Sequence, residues 1–162
     1  MIERVVGRHV AVVVDNVDPK NLCRVRVTAP EVLADQESGW CRPALPYAGP
    51  SVGFAAVPPV GSLVLIEWPG GDLSREPIWS GGAWADGDGV EGAGPDAVII
   101  VTPGGNKIEL RDESGSEKVE LVASSGATVT MDSNGLTLTF GSQKVALTNQ
   151  SVSVNDGALE IR

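Results

Sequence analysis

The chain has 162 residues and a formal net charge of −9, from 12 Lys and Arg against 21 Asp and Glu. Nucleic acids and anionic membranes both select basic surfaces, so this charge argues against either as a stable partner. The 42% of hydrophobic residues can supply a packed core and excludes a wholly disordered chain. We find no apolar run of membrane-spanning length and no signal-peptide pattern at the N-terminus, and therefore expect a protein made in the cytoplasm.

The first 84 residues contain short strand signals separated by turn residues, and no convincing helical periodicity. A short sheet of this kind exposes its edges unless it closes on itself. We therefore predict an OB-like barrel over residues 1–84. Its predicted strands are His9–Val14, Leu22–Val27, Ser38–Arg42, Val52–Val57, Ser62–Trp68 and Pro77–Trp79.

Residues that often carry chemistry are few in this part. Cys23 and Cys41 lack the spacing of a disulfide scaffold or a zinc site, so we expect reduced, buried thiols. His9 is the only histidine and lies in a predicted strand, where a structural role is more common than a catalytic one. Stacking of the four tryptophans on bases would need accompanying Lys and Arg, but residues 1–84 are net negative, which favours a barrel core or a protein interface. They are Trp40, Trp68, Trp79 and Trp84.

Residues 85–97 read as an acidic, glycine-rich linker that ends near Pro95. After it, residues 98–162 repeat short alternating apolar runs separated by Gly, Ser, Asn and Asp turns. Whether Val98–Val101 is linker or first strand stays open. The predicted inward residues are Ile108, Leu110, Val119, Leu121, Val129, Met131, Leu136, Leu138, Phe140, Val145, Leu147, Val152, Val154, Leu159 and Ile161.

Each of these strands has too few apolar residues to offset its own loss of conformational entropy. A single chain wound as a solenoid would make fewer than three coils, which is marginal. Three intertwined chains would share one continuous core, and we therefore predict a homotrimeric β-helix needle over residues 98–162. Eight strands per face at a spacing of ~4.8 Å give a needle about 38 Å long.

No constellation of residues predicts catalysis. Asp112, Glu113 and Glu117 could be read as an acid pair or a calcium cluster, but they lie between two repeat strands, where a solvated turn is expected. Gly81-Gly82 and Gly104-Gly105 lack the Lys-Ser/Thr of a phosphate loop. We predict no catalytic residues, no metal and no cofactor.

Two stretches of the first part carry specific motifs. Pro59–Trp68 reads Pro-x-Gly-x-x-Val along a strand, and Gly71–Ile78 is an acidic turn in which Glu76 separates Arg75 from Pro77. Together with the weaker stretches Cys23–Val27, Trp40–Ala44 and Tyr47–Pro50, they resemble the OB domain of baseplate spike proteins from contractile phage tails, the VgrG spike of type VI secretion and the spikes of extracellular injection systems; the family has no residue between that Arg and Pro. Thr102–Leu110 and Asp112–Val119 resemble the entry into the trimeric β-helix of the same spikes.

The resemblance implies a central spike that docks to a hub protein, pierces a target envelope with only transient membrane contact, and assembles into a phage tail, secretion or injection particle. Tube or cargo proteins are further possible partners. No lysozyme domain separates barrel and β-helix, so no enzyme is expected, and no His-x-His apex for iron is present. A PAAR-like tip protein is then expected on Leu159, Glu160, Ile161 and Arg162.

Two other functions compete with this reading. One is an OB-type binding module for nucleic acid or glycan with a solenoid tail, which would be monomeric and would bind oligonucleotides in a salt-sensitive way. The other is a carrier of enzymatic activity, which peptidoglycan turnover by the pure protein would support.

Overall fold

The computed structural model describes residues 4–161. The chain divides into two compact units, one that extends to Asp88 and one that begins at Gly89. Among the described residues, no helix is long and apolar enough to cross a membrane.

The first unit consists of short strands, one four-residue α-helix and one 3₁₀ turn at Pro69–Gly71. In chain order the elements are β1 (His9–Asp15), β2 (Arg26–Thr28), α1 (Pro30–Leu33), β3 (Arg42–Pro43), β4 (Ala48–Gly49), β5 (Val52–Gly53), β6 (Leu63–Glu67) and β7 (Ile78–Ala83).

Five of these strands form one curled sheet in the order β2-β1-β6-β7-β3. A bridge between Val25 and Cys41, next to β2 and β3, joins its two edges through reciprocal hydrogen bonds of 3.2 and 2.8 Å. The sheet encloses a core supplied entirely by this unit, and the OB-like prediction is confirmed. The core residues are Ala11, Val13, Val25, Val27, Ala29, Cys41, Val64, Ile66, Trp68 and Trp79.

The structure shortens the predicted second strand, because a buried carboxylate holds its first half in a loop. Asp18 accepts hydrogen bonds from the backbone N–H groups of Lys20 and Leu22 at 2.9 and 2.8 Å. It also pairs with the guanidinium of Arg24, whose side chain is 8% exposed. Arg24 holds the pKa of Asp18 well below its usual range. Strand pairing therefore starts only near Val25.

Other strand bounds and one helix also differ from the predictions. The segment Val52–Val57 pairs over two residues only, with β4. The predicted strand Ser38–Arg42 reduces to the bridge at Cys41 followed by β3. The sequence predicted no helix, but Pro30 begins the short α1, a position where its fixed φ and missing N–H are tolerated.

The second unit is one eight-stranded antiparallel sheet. Its first strand includes Val98–Val101, which the sequence had left open between linker and strand. A 3₁₀ turn at Asn155–Gly157 precedes its last strand. The strands are β8 (Ala97–Val101), β9 (Lys107–Arg111), β10 (Lys118–Val122), β11 (Thr128–Asp132), β12 (Gly135–Phe140), β13 (Gln143–Leu147), β14 (Val152–Val154) and β15 (Leu159–Ile161).

Connectivity within this sheet differs from the expected alternation of chains. Intertwining would place strands of other chains between successive strands of one chain, whereas β8–β15 form a meander in sequence order. The short turns explain this arrangement, because connections such as Ser133-Asn134 are hairpin loops that join adjacent antiparallel strands. One chain thus supplies a whole sheet.

The acidic segment between the two units forms turns. Asp88, Ala93 and Ala97 each donate a backbone hydrogen bond to the carbonyl three residues earlier, at 3.1 to 3.3 Å. Asp112 donates to the carbonyl of Asp96 at 2.8 Å, which ties the end of the segment to the turn after β9. Pairing of the sheet then begins at Ala97.

Candidate functional site

One face of the eight-stranded sheet is covered by two continuous columns of apolar side chains. Strand register places each predicted inward residue directly opposite another apolar residue, except Phe140, which lies on the same face opposite Gln143. Val98 and Ile100 extend both columns by one strand; the sequence left them unassigned because every residue of Ala97–Val101 is apolar. The columns are Val98-Leu110-Val119-Met131-Leu136-Leu147-Val152-Ile161 and Ile100-Ile108-Leu121-Val129-Leu138-Val145-Val154-Leu159.

These columns are open to solvent in the single chain. Leu121, Leu138 and Ile161 are 42%, 44% and 60% exposed, whereas Val13 and Ile66 of the first unit are 0% exposed. Monomeric soluble proteins rarely expose contiguous apolar surface on this scale, and such a surface marks an interaction site. A face of the described sheet thus lacks the partner that would make it a core.

The opposite face is polar and begins with a compact ion-pair network on β9 and β10. Glu109 is at its centre, with its side chain 5% exposed. Its carboxylate accepts hydrogen bonds from Lys107 Nζ and Arg111 Nε, both at 2.7 Å. Glu120 contacts the ammonium groups of Lys107 and Lys118 at 3.0 and 3.1 Å.

This network shifts the titration of its members. Hydrogen bonds from Lys107 and Arg111 lower the pKa of Glu109 to about 2, in spite of its burial. Lys107 also lowers the pKa of Glu120, and the two carboxylates raise the pKa of Lys107. Because every charge has an opposite neighbour, this site holds β9 and β10 in register rather than offering free groups for chemistry.

Further along the sheet the polar face becomes nearly uncharged. Thr128 pairs with Thr139 and Thr130 with Thr137, so threonines replace the ion pairs of β9 and β10. From β9 to β14 the two faces therefore differ, one apolar and one largely polar, as expected when a sheet covers a core on one side only. On β8 the polar face is interrupted by Ala97, Ile99 and Val101.

The predicted tip residues lie on and beyond β15. Leu159 and Ile161 are 57% and 60% exposed, and β15 is hydrogen-bonded on one side, to β14, among the described residues. Arg162 and the side chain of Glu160 lie outside the described part of the chain.

Other residues singled out from the sequence remain apart. Asp112, Glu113 and Glu117 are exposed in the turn after β9, and no group of three metal-ligating side chains occurs within residues 4–161. Both cysteines are free; Cys41 is buried, where burial raises the pKa of its thiol, and Cys23 is half-buried. His9 packs in the first unit with its Nε2 buried, and its Nδ1 lies 4.0 Å from Glu31.

Comparison with known families divides the chain at the same place as its structure. Residues 9–84 match the type VI secretion system/phage-baseplate injector OB domain. Residues 97–160 match the phage baseplate V C-terminal trimerisation domain. No curated protein matches this chain. The second match assigns self-association as a trimer to the unit that carries the open apolar columns.

Proposed function

The chain is a baseplate spike-like protein, with an injector OB domain followed by a baseplate trimerisation domain, and we propose that it acts as the central spike at the tip of a contractile tail or injection machine. The two apolar columns on one face of the second unit carry this proposal. Three copies of that face can close into a triangular prism with a continuous core. Such a prism buries both columns and leaves the ion pairs and threonines on its outer faces.

The dimensions and bonding of this prism suit a mechanical role. Eight strands at a spacing of ~4.8 Å make a shaft about 38 Å long from β8 to β15. Each strand inside the meander is hydrogen-bonded on both sides, so local opening requires several neighbours to separate together. A shaft of this kind transmits the force of contraction without bending or unfolding.

Both ends of the molecule have a part in the proposal. The OB domain docks to a hub protein that joins the tail tube, and the strands around Leu159 and Ile161 receive a PAAR-like tip protein. Two observations support this tip site. β15 has a neighbouring strand on one side only within residues 4–161, and the side chains of Leu159 and Ile161 are exposed. The role needs no catalysis, and the ion-pair network around Glu109 reads as structural.

The test begins with the solution mass of the purified chain, measured by light scattering. A particle of three 16.8-kDa chains supports the spike, and a rod of about 38 Å for the second unit in small-angle scattering supports the prism. A monomer that binds oligonucleotides would overturn the proposal in favour of a binding module.

Tip docking is tested in the contractile particle of the source organism. Ile161 lies on the last strand and is 60% exposed, so three carboxylates there can stay hydrated at the end of the shaft, unlike those of Leu138→Asp in its middle. Ile161→Asp should therefore leave the trimer assembled but remove the tip protein and abolish delivery to the target. Thr139→Asp, on the outer face of the shaft, is the matched control and should leave both intact. Particles that keep their tip protein after Ile161→Asp would contradict this assignment.

A further inference from the structure

Within residues 4–161, a small hairpin of the OB unit has no strand pairing outside itself. Strands β4 and β5 pair only with each other, over two residues each. Tyr47, Val52 and Phe54 on and beside this hairpin are 60%, 52% and 50% exposed. Two-stranded hairpins of this size are marginal in water without a packing partner. The hairpin is therefore a candidate for packing against a surface outside its own chain.

The chain runs from β3 through the hairpin to the end of the barrel where β7 finishes. β3 and β7 run parallel, with Arg42 opposite Ile78, so the chain leaves both strands at the same end. Pro58, beyond the hairpin, lines a cleft of about 420 Å³ together with Leu63 and Trp84. We name this surface the uncharged end; its exposed apolar residues are Tyr47, Val52, Phe54, Val57, Val60 and Trp84.

Charged residues are absent from the segments that build this end. None occurs between Arg42 and Glu67, nor between Glu76 and Asp86. Trp84 is the most exposed of the four tryptophans, with 65% of its surface accessible. Aromatic residues and depletion of charge mark the buried centre of protein interfaces. The uncharged end thus has the composition of an interface while it is exposed in one chain.

Identical copies of the chain suit this surface better than an unrelated partner. Residues 1–84 carry 7 Lys and Arg against 9 Asp and Glu, so overall charge does not keep the OB units apart. Around a symmetry axis each charged patch would meet its own copies, and an uncharged surface avoids that like-charge contact. Twelve residues, 85–96, separate Trp84 from β8, a tether of at most about 45 Å. Trimerisation of the second unit therefore holds three OB units at millimolar effective concentration.

We propose that the uncharged end of each OB unit packs against the OB units of the other two copies, so that the trimer interface continues beyond the trimerisation domain. The hairpin β4–β5 and Trp84 form its centre. This inference rests on the trimer and not on the piercing role, and it leaves the opposite end of the barrel free to meet another protein.

Two substitutions in the full-length chain test the contact by thermal unfolding. Trp84→Ser should lower the melting temperature of the OB transition in the trimer by about 5 °C or more, because it removes a buried aromatic side chain. Leu73→Ser is the matched control, because Leu73 is 42% exposed in the β6–β7 connection at the other end of the barrel. Equal, small shifts for both variants would overturn the proposal.

Tryptophan fluorescence gives an independent reading. The signal of Trp84 is the difference between the wild type and Trp84→Phe, measured in the trimer and again in the trimer-breaking Leu138→Asp background. We expect it protected from acrylamide in the trimer and accessible in the monomer. Accessibility in both states would mean that the surface waits for another protein, and protection in both would mean that its own chain covers it; either result overturns the proposal. A wild-type chain that is monomeric would instead refute the trimer itself.

Discussion

The two units of this chain bury their apolar residues in different ways. In the OB unit, Val13 and Ile66 are fully buried by neighbours from the same unit. In the second unit, Leu138 and Leu147 have perfectly matched apolar neighbours along their columns, yet remain 44% and 48% exposed. A curled sheet can enclose a core by itself, whereas a single meander has one apolar face and nothing opposite it.

The OB unit can therefore fold alone, whereas the second unit needs assembly to bury its apolar face. The OB unit should stay folded at any protein concentration, because its core needs no partner, and contacts with the other copies should add to its stability only in the trimer. The second unit should gain its stability by mass action from the other copies. Variants in the two units should therefore respond differently to dilution, which the following experiments exploit.

We expect the largest effect from Leu138→Asp, because it changes the apolar face on which assembly of the second unit depends. Around the three-fold axis it would place three carboxylates in an apolar core, where unpaired charge is strongly unfavourable. We expect loss of the trimer by light scattering, with the OB unit still folded. The matched control is Thr137→Asp on the opposite face of the same strand, which should remain trimeric. A trimer that survives Leu138→Asp would refute the inward assignment of this column.

A core truncation in the OB unit comes next. Ile66→Ala should destabilise that unit by about 2–5 kcal/mol, because it removes buried methylene groups and leaves a cavity. Denaturant unfolding should show this loss to be independent of protein concentration, while the trimer keeps its mass. A shift that depends on concentration would mean that the OB core is completed by other copies.

The hairpin turn between β11 and β12 supplies a sharper probe of the meander. Gly135 has φ of +135°, and an added Cβ would lie against the carbonyl of Leu147 on the neighbouring strand. Gly135→Ala should therefore destabilise the sheet by about 3 kcal/mol. Gly141 also has a positive φ, but a Cβ added there would meet open space. Gly141→Ala should therefore destabilise the sheet by only about 1 kcal/mol. Equal losses would indicate that β12 and β13 are not adjacent in one chain.

Acid lability of the second unit should depend on Glu109. Its folded pKa of about 2 lies below that of an unfolded glutamate, so its stabilising contribution is complete above about pH 4.5 and is lost as the pH falls toward 2. Glu109→Gln should remove this part of the pH dependence of the second unit and destabilise it by about 2 kcal/mol at neutral pH. Glu117→Gln, in the exposed turn, is the control and should change neither.

Sequence patterns alone predicted much of the second unit. Alternation of apolar residues with turn residues between them located strands β9–β15 and the side chains that share one face, because a strand's side chains alternate strictly between faces. That this face points inward in a trimer stays a prediction. The OB unit was predicted with less accurate bounds. Asp18 draws the segment before Val25 into a loop, and Pro30 starts a helix that has no periodic signal.

Tertiary structure decided which strands are neighbours and which surfaces lack a cover. Alternation gives the face of each residue but not its partner strand. The sequence was therefore compatible with strands that pass between chains. Only the hydrogen-bonded register of β8–β15 shows a meander within one chain. The sequence likewise did not show that Trp68 and Trp79 lie in the core while Trp84 is exposed. Burial depends on contacts between residues far apart in the chain, whereas periodicity is a property of neighbours, and this is why sequence determined the faces and structure decided their partners.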